Sequence, residues 1–302
     1  MNINHGAQQG TVARDVCFAG PGLHTGRHCR ATVKEAPTGH GIVFRLVDKR
    51  GQKKLIRADW RNVRDLPLCT CLTDGSRSQV RTVEHLLGAF FACGIDNAII
   101  EVEGEEIPLL DGSAKPFVDA LSHAIKVQTA PRRVTKILKW LNLEDGPRWI
   151  KIRPSKTFRL EIQTYVEPFG RLPWWRSDIT RPFFAKEIAP ARTFGSLRKG
   201  LLAKTLTWML PNPVCLGANT MNTIAISRGS VVTPGGLRFP DEFVRHRALD
   251  LVGDLMLSGT DFQGRFVCFS PTHRMTRQAL EAIFSNPEFY ETVEGDLMST
   301  AS

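Results

Sequence analysis

The sequence predicts an α+β protein built from two halves of similar make-up, and three observations carry that prediction. Short alternating apolar segments bounded by turn residues read as strands. Longer segments with capping signals read as helices. The alternation of the two, seen over about the first 125 residues, begins again after a break. A length of 302 residues allows one large or two ordinary domains. Apolar residues make up 42% and charged residues 23%, ordinary for a folded chain, so disorder, collagen and coiled coil are excluded as descriptions of the whole.

In the first half, Ala31 to Glu35 and Gly41 to Asp48 read as a hairpin around Pro37-Thr-Gly-His40, and Asn97 to Glu103 alternates as a strand. Thr82 to Cys93 reads as a helix, with Thr82 as its cap and Gly94 at its stop. That helix is apolar nearly all round (Leu86, Leu87, Ala89, Phe90, Phe91), which predicts burial. Asp111-Gly-Ser113 turns the chain, and Pro116 suits a first helical turn. Around Thr129 to Arg133 periodicity disappears and polar residues and proline collect, the pattern of a linker. The expected domains are therefore 1–128 and 129–302. The second repeats the alternation: strands at Trp149 to Arg153 and Arg159 to Val166, a long helix at Asp241 to Ser258, a strand at Arg265 to Phe269, and a helix from Thr276 to Phe284. No clear sequence repeat relates the halves.

Forty Lys and Arg against thirty Asp and Glu leave a formal charge of +10. The basic residues are dispersed, and no helix-turn-helix, zinc-finger or RNP pattern accompanies them, so no nucleic-acid partner is expected. The same charge suits a nucleotide-diphosphate substrate or an anionic membrane surface. No apolar run is long enough to span a bilayer, and Met1-Asn-Ile-Asn-His-Gly6 resembles neither a secretory signal nor a transit peptide, so a cytoplasmic address is expected. Seven cysteines without a C-x-x-C pair fit neither a disulfide framework nor a zinc ribbon, and most are expected reduced and buried.

The strongest chemical signal is Asp241-Glu-Phe-Val-Arg-His-Arg-Ala-Leu-Asp-Leu-Val-Gly-Asp254. His246, Asp250 and Asp254 fall at i, i+4 and i+8 and make one polar stripe on an otherwise apolar helix. Buried carboxylates need a cation or partner to offset their desolvation. His246 and Asp250, one turn apart, can both reach one zinc ion; the alternative is an ordinary helical pair on a solvated face. A third ligand is available in His85, beside Glu84 in the first turn of the buried helix, where a lone histidine can equally be structural. Two histidines, an aspartate and an open fourth position are the composition of a catalytic zinc site. Glu84 is then the candidate base and His273 the candidate acid, with Asp254 able to hydrogen-bond that imidazole and raise its pKa. The alternative for His273 is an exposed loop histidine.

At this point the chain resembles a family, the zinc-dependent UDP-3-O-acyl-N-acetylglucosamine deacetylases of lipid A biosynthesis. The matching segments are Gly20-Pro-Gly-Leu-His-Thr-Gly26, Thr70-Cys-Leu72, Thr82-Val-Glu-His-Leu86, Gly94-Ile-Asp-Asn97, Glu106-Ile-Pro-Leu-Leu-Asp-Gly-Ser113, Ala191-Arg-Thr-Phe-Gly195, Gly236-Leu-Arg-Phe239, Asp241-Glu-Phe-Val-Arg-His246 and His273. They follow the family's order across nearly the whole chain. The resemblance implies two similar two-layer α/β sandwich domains, packed helix layer to helix layer with the site between them. It implies Zn2+, with Fe2+ as the other ion such ligands accept, on His85, His246 and Asp250. It implies Glu84 as base, His273 as acid with Asp254 behind it, and Thr193 on the carbonyl or its oxyanion.

Substrate contacts carry over onto Phe194, Arg247, Leu68, Cys69 and His24. Leu197 and Leu201 open a passage for the acyl chain between about Leu197 and Asn222, whose apolar residues could also be local core. The implied partner is a UDP-linked acylated amino sugar, met by a monomer with at most peripheral membrane contact. The sequence departs from the family at Arg247, usually Lys, at Lys199, commonly acidic, and in a longer passage holding Pro211 and Pro213. A catalytically inert relative that binds a nucleotide sugar or lipid is the rival reading.

Overall fold

Along His28–Glu35 burial alternates, with Cys29, Ala31 and Val33 turned inward, as a strand with one covered face requires. The computed structural model describes residues 7–47 and 53–295. In it this strand belongs to a five-stranded sheet in the order Val16–Pro21, His28–Glu35, Ala98–Glu103, Ile42–Val47, Lys53–Arg57. The hairpin expected over residues 31–48 is therefore not formed. Ala98–Glu103, whose Ala98, Ile100 and Val102 are fully buried, takes the centre, antiparallel to His28–Glu35 and parallel to Ile42–Val47. Asn97 Oδ1 accepts from the Gly41 amide at 2.8 Å, so the incoming strand is tied to the connection it separates. Asp48 lies outside the described residues.

Two helices cover this sheet. Helix α1 (Glu84–Cys93) is buried at all ten positions and ends at Gly94 in the left-handed region, φ 66°. Helix α2 (Lys115–Leu121) carries Pro116 in its first turn and buries Phe117, which meets Phe18 edge-on at 4.8 Å.

The stretch read as a linker is more ordered than its composition implies. Ile125–Pro131 pairs with Gln8–Val12 as a two-stranded ribbon, and Arg133–Ile137 follows at once as a strand of the second sheet. The ribbon strand is mostly open to solvent, so it shows no apolar alternation. Buried Arg132 fixes the junction, donating to Asp96 and to the Gly94 carbonyl at 2.9 Å.

The second sheet runs Leu141–Asp145, Arg148–Arg153, Asp261–Phe269, Arg133–Ile137, Tyr290–Glu294, and Phe158–Gln163 joins Asp261–Phe269 to Trp175–Asp178. A single turn, α3 (Arg181–Phe183), leads into a wider turn through Ile188 that sets Phe184 against Phe91 of α1, ring centroids 5.4 Å apart. An exposed helix, α4 (Leu197–Thr207), precedes α5 (Glu242–Leu255) and α6 (His273–Phe284). The chain is thus α+β.

Helices α1 and α5 meet at glycines. A Cβ on Gly253 would stand 2.1 Å from the Glu84 carbonyl oxygen of α1, and one on Gly88 would stand 3.8 Å from the Leu249 carbonyl oxygen of α5 and 3.2 Å from the Phe184 ring. Backbones this close leave no room for a side chain. One apolar cluster runs from Phe44 and Ile100 through Leu86 and Phe90 to Val252, Ile152, Phe266 and Leu280, crossing the α1–α5 seam.

Candidate metal centre

The site begins with a buried carboxylate outside it. Glu106 accepts from the amides of His24 and Thr25 and from the hydroxyls of Thr25 and Thr82, all at 2.8–2.9 Å. Four donors stabilise a charge that burial would otherwise penalise. The knot takes up the Thr82 hydroxyl, so Thr82 does not cap α1 as expected; it enters the helix at φ 59°, and its amide is received by the Thr70 carbonyl at 2.9 Å. Thr70 belongs to the strand Cys69–Thr73. Helix α1 therefore starts from a braced turn, which fixes where its first two side chains point.

Those side chains are Glu84 and His85, and α5 brings His246 and Asp250 to meet them. His85, His246 and Asp250 each offer a ligand atom within 4.8 Å of the others. Asp250 Oδ1 stands 3.4 Å from His246 Nε2 and 3.7 Å from His85 Nε2. The imidazoles cross nearly at right angles, centroids 5.1 Å apart. His246 Nδ1–H donates to the Ala191 carbonyl at 3.1 Å, which leaves the Nε2 lone pair facing the cluster.

Burial, joined by the neighbouring His246, pulls His85 down to about 3, and burial also lowers His246, so both rings are neutral. Burial would raise Asp250, but its neighbours His246, His273 and Arg247 outweigh it and hold the carboxylate below its usual range. Two neutral imidazoles around an ionised carboxylate, all buried, form a donor set suited to a divalent cation. Ligand bonds of about 2.0–2.2 Å in a tetrahedron put ligand atoms roughly 3.3 Å apart, close to the spacings found here. His85 Nδ1, on the other edge of the ring, is buried with no hydrogen-bond partner among the described residues. The residues fit a divalent ion.

Beside the cluster lie three more groups. Glu84 Oε2 accepts from the Thr70 amide at 3.1 Å, and Oε1 lies 3.9 Å from His273 Nε2. His273 Nδ1–H donates to Asp254 Oδ2 at 2.8 Å, and Asp254 Oδ1 accepts from the Thr70 hydroxyl. Burial pushes Glu84 up to about 8, with His273 opposing and Asp254 and Asp250 adding to the rise. Burial works to lower His273, but the charge and hydrogen bond of Asp254 prevail and lift it to about 10. The Glu84 carboxyl group and a charged imidazole thus face each other at the edge of the cluster. A cleft lined by Arg247, Asp250, Asp254, Thr272 and His273 opens there.

His273 does not sit on a loop. It is the first residue of α6, which Thr272 caps by accepting from the Met275 amide, so the helix begins three residues earlier than the sequence indicates. Asp241 precedes α5 but makes no capping bond; its carboxylate takes Arg245 at 2.6 Å instead.

Thr193 lies between Gly112, whose carbonyl receives its amide, and Ile224, whose amide reaches its carbonyl, both at 2.8 Å. Phe194 faces the His246 ring at 6.0 Å, and Arg247 stacks over Phe194 at 5.0 Å while donating to Asp250 Oδ2 at 3.2 Å. Leu68, at φ 64°, is exposed. Cys69 and His24 are covered, so the structure shows no surface on either for a substrate to touch: His24 Nδ1 accepts from the Cys215 amide at 3.4 Å, and burial lowers this ring to about 4. Leu197 and Leu201 lie on α4, which buries no residue, and Leu202, Leu206, Trp208, Met209 and Leu210 continue an exposed apolar strip. These residues are not local core.

Three residues of the assembly carried no assigned role in the sequence: Thr70, Glu106 and Gly253. Thr70 and Glu106 stand in segments that match the family, but nothing in their spacing ties a strand at 70 to a helix at 254.

The chain matches the UDP-3-O-acyl N-acetylglycosamine deacetylase family over residues 9–285. Among curated proteins, the UDP-3-O-acyl-N-acetylglucosamine deacetylases of Idiomarina loihiensis and Pseudoalteromonas atlantica are each 35% identical to it over 294 residues, 96% of this chain and 94% of theirs. That of Shewanella frigidimarina is 35% identical over 293 residues, 95% of this chain and 93% of its own.

Proposed function

The chain belongs to the UDP-3-O-acyl N-acetylglycosamine deacetylase family, and from that premise we propose that it removes the N-acetyl group from a UDP-3-O-acyl-N-acetylglucosamine, releasing acetate, as a zinc-dependent step of lipid A biosynthesis. The observation that carries the reading is the three-donor cluster at the α1–α5 seam with Glu84 and His273 beside it. His85, His246 and Asp250 would hold a zinc ion, which when bound would supply Lewis acidity toward an amide carbonyl and toward water near neutral pH. Glu84 Oε1 accepts the proton of the attacking water, a role that the rise of its pKa on burial favours. Thr193 donates toward the oxyanion as the carbonyl carbon becomes tetrahedral. His273, charged through Asp254, gives its proton to the departing amine.

Arg247 meets the diphosphate, and the exposed apolar strip on α4 meets the acyl chain. No helix among the described residues is long and apolar enough to cross a membrane. The test joins metal analysis to acetate release. Wild-type protein is expected to carry about one zinc per chain and release acetate, and Glu84→Ala to keep the metal while losing turnover. A zinc-replete Glu84→Ala protein with full turnover would remove the assigned base; zinc-replete wild-type protein that releases no acetate would sink the reading.

A further inference from the structure

Each of the two proton-handling carboxylates has one oxygen held and one oxygen presented, and the same residue does the holding. Thr70 is buried in the strand Cys69–Thr73. Its amide donates to Glu84 Oε2 at 3.1 Å, which leaves Oε1 as the oxygen facing His273 Nε2. Its hydroxyl donates to Asp254 Oδ1 at 2.5 Å, which leaves Oδ2 to receive His273 Nδ1–H. Its carbonyl receives the Thr82 amide at 2.9 Å, just before α1 begins. Thr70 thus contacts the base on α1, the carboxylate on α5 and, at 3.1 Å, the His273 ring on α6.

A carboxylate held at one oxygen cannot swing about its last torsion without breaking that bond. The torsion is broad and nearly two-fold, so an untethered Asp or Glu would exchange its oxygens freely. We propose that Thr70 is a positioning residue of this site: its amide sets the rotation of Glu84 and its hydroxyl sets the rotation of Asp254, so that base and acid are aligned before substrate arrives. In a buried setting these hydrogen bonds are not exchanged for water. The amide is fixed by the strand, whereas the hydroxyl is the part a substitution can remove.

Two variants separate alignment from packing. Thr70→Val keeps the shape and loses the hydroxyl; Thr70→Ser keeps the hydroxyl and loses a methyl group. Alignment predicts that Thr70→Val lowers kcat by roughly 10–100-fold with KM and zinc content unchanged, and that Thr70→Ser retains kcat within a small factor. If Thr70 only fills space the order reverses, and that reversal overturns the proposal. Crystal structures of both variants give a readout independent of substrate. The His273 Nδ1 to Asp254 Oδ2 contact should be lost or rotated in Thr70→Val and kept in Thr70→Ser; an unchanged contact in Thr70→Val overturns the proposal. Should Thr70→Val fail to fold, Thr70→Ala takes its place in both arms. The kinetic arm rests on the deacetylase reading and the crystallographic arm does not, so wild-type protein without acetate release would refute that reading and leave Thr70 to be decided by the contact.

Discussion

Replacing Gly253 by alanine sets two opposing effects against each other at the centre of the molecule. Alanine favours the helix by about 1 kcal/mol over glycine. Against this, its Cβ would lie 2.1 Å from the Glu84 carbonyl oxygen, whereas ordinary contact begins at 3.4 Å, so α1 and α5 must separate by about 1.3 Å. The carbonyl is backbone and both helices are buried, which puts the cost at the upper end of the range for overpacking, about 3 kcal/mol. Repulsion wins, with a net loss of about 2 kcal/mol and a fall in Tm of a few degrees. The consequence for the cluster is larger. Metal–ligand distances hold to about 0.2 Å, and the shift parts His85 from Asp250 and His246 by several times that.

Zinc affinity, measured by competition with a chromophoric chelator, should fall at least about tenfold, the lower end of what disturbing a ligand's support costs. Gly200→Ala on α4 is the control, because nothing lies within 4 Å of its Cβ. There alanine should be neutral or stabilising by up to about 1 kcal/mol. A Gly253→Ala protein with wild-type Tm and zinc affinity would refute the argument that these two helices are set by contact at this glycine.

Stability should also depend on the buried pair Glu242 and Arg192. Burial works to raise Glu242, but hydrogen bonds from Arg192 and the Arg238 amide win and hold its pKa below the usual 4.5. A folded pKa below the unfolded one gives stability that is present above about pH 4.5 and lost as pH falls through the folded value. Urea titrations of wild-type protein should therefore show a decline in that acid window which Glu242→Gln lacks, the variant being about 3 kcal/mol less stable at neutral pH; parallel pH profiles would contradict this. Removing the divalent metal with a chelator should lower Tm, and zinc should restore it, since an ion at 100 times its Kd contributes about 2.7 kcal/mol. An unchanged Tm would mean that nothing in the fold leans on the cluster. Replacing Leu201 and Leu202 by serine should raise KM for a long-acyl substrate several-fold while leaving a truncated one unaffected; equal effects on both would separate α4 from the acyl chain.

The parts of the site that were legible in the sequence are those a single helix holds. His246, Asp250 and Asp254 share a face because 3.6 residues make a turn, and the all-apolar sides of α1 gave away its burial. What was not legible depends on contact between distant segments. Nothing local places Ala98–Glu103 between His28–Glu35 and Ile42–Val47, and a proline-glycine turn flanked by two apolar runs looks the same whether or not a third strand intervenes. Ser270-Pro-Thr-His273 reads as loop chemistry, yet Thr272 is a cap and the polar run is a helix start. Thr82 showed the converse: a residue suited to capping was drawn off by Glu106, which is 24 positions away.

The crossing of α1 and α5 divides the donors unevenly: one imidazole comes from before the Arg132 junction, and an imidazole and a carboxylate come from after it. Neither portion alone can offer an ion more than two ligands. Recombining this chain with a relative at that junction would therefore preserve the ligand residues on paper, yet the hybrid would work only if the glycine on one parent's helix still matched the carbonyl on the other's. Exchange between lineages is constrained at the seam by a backbone contact that no comparison of active-site side chains would reveal.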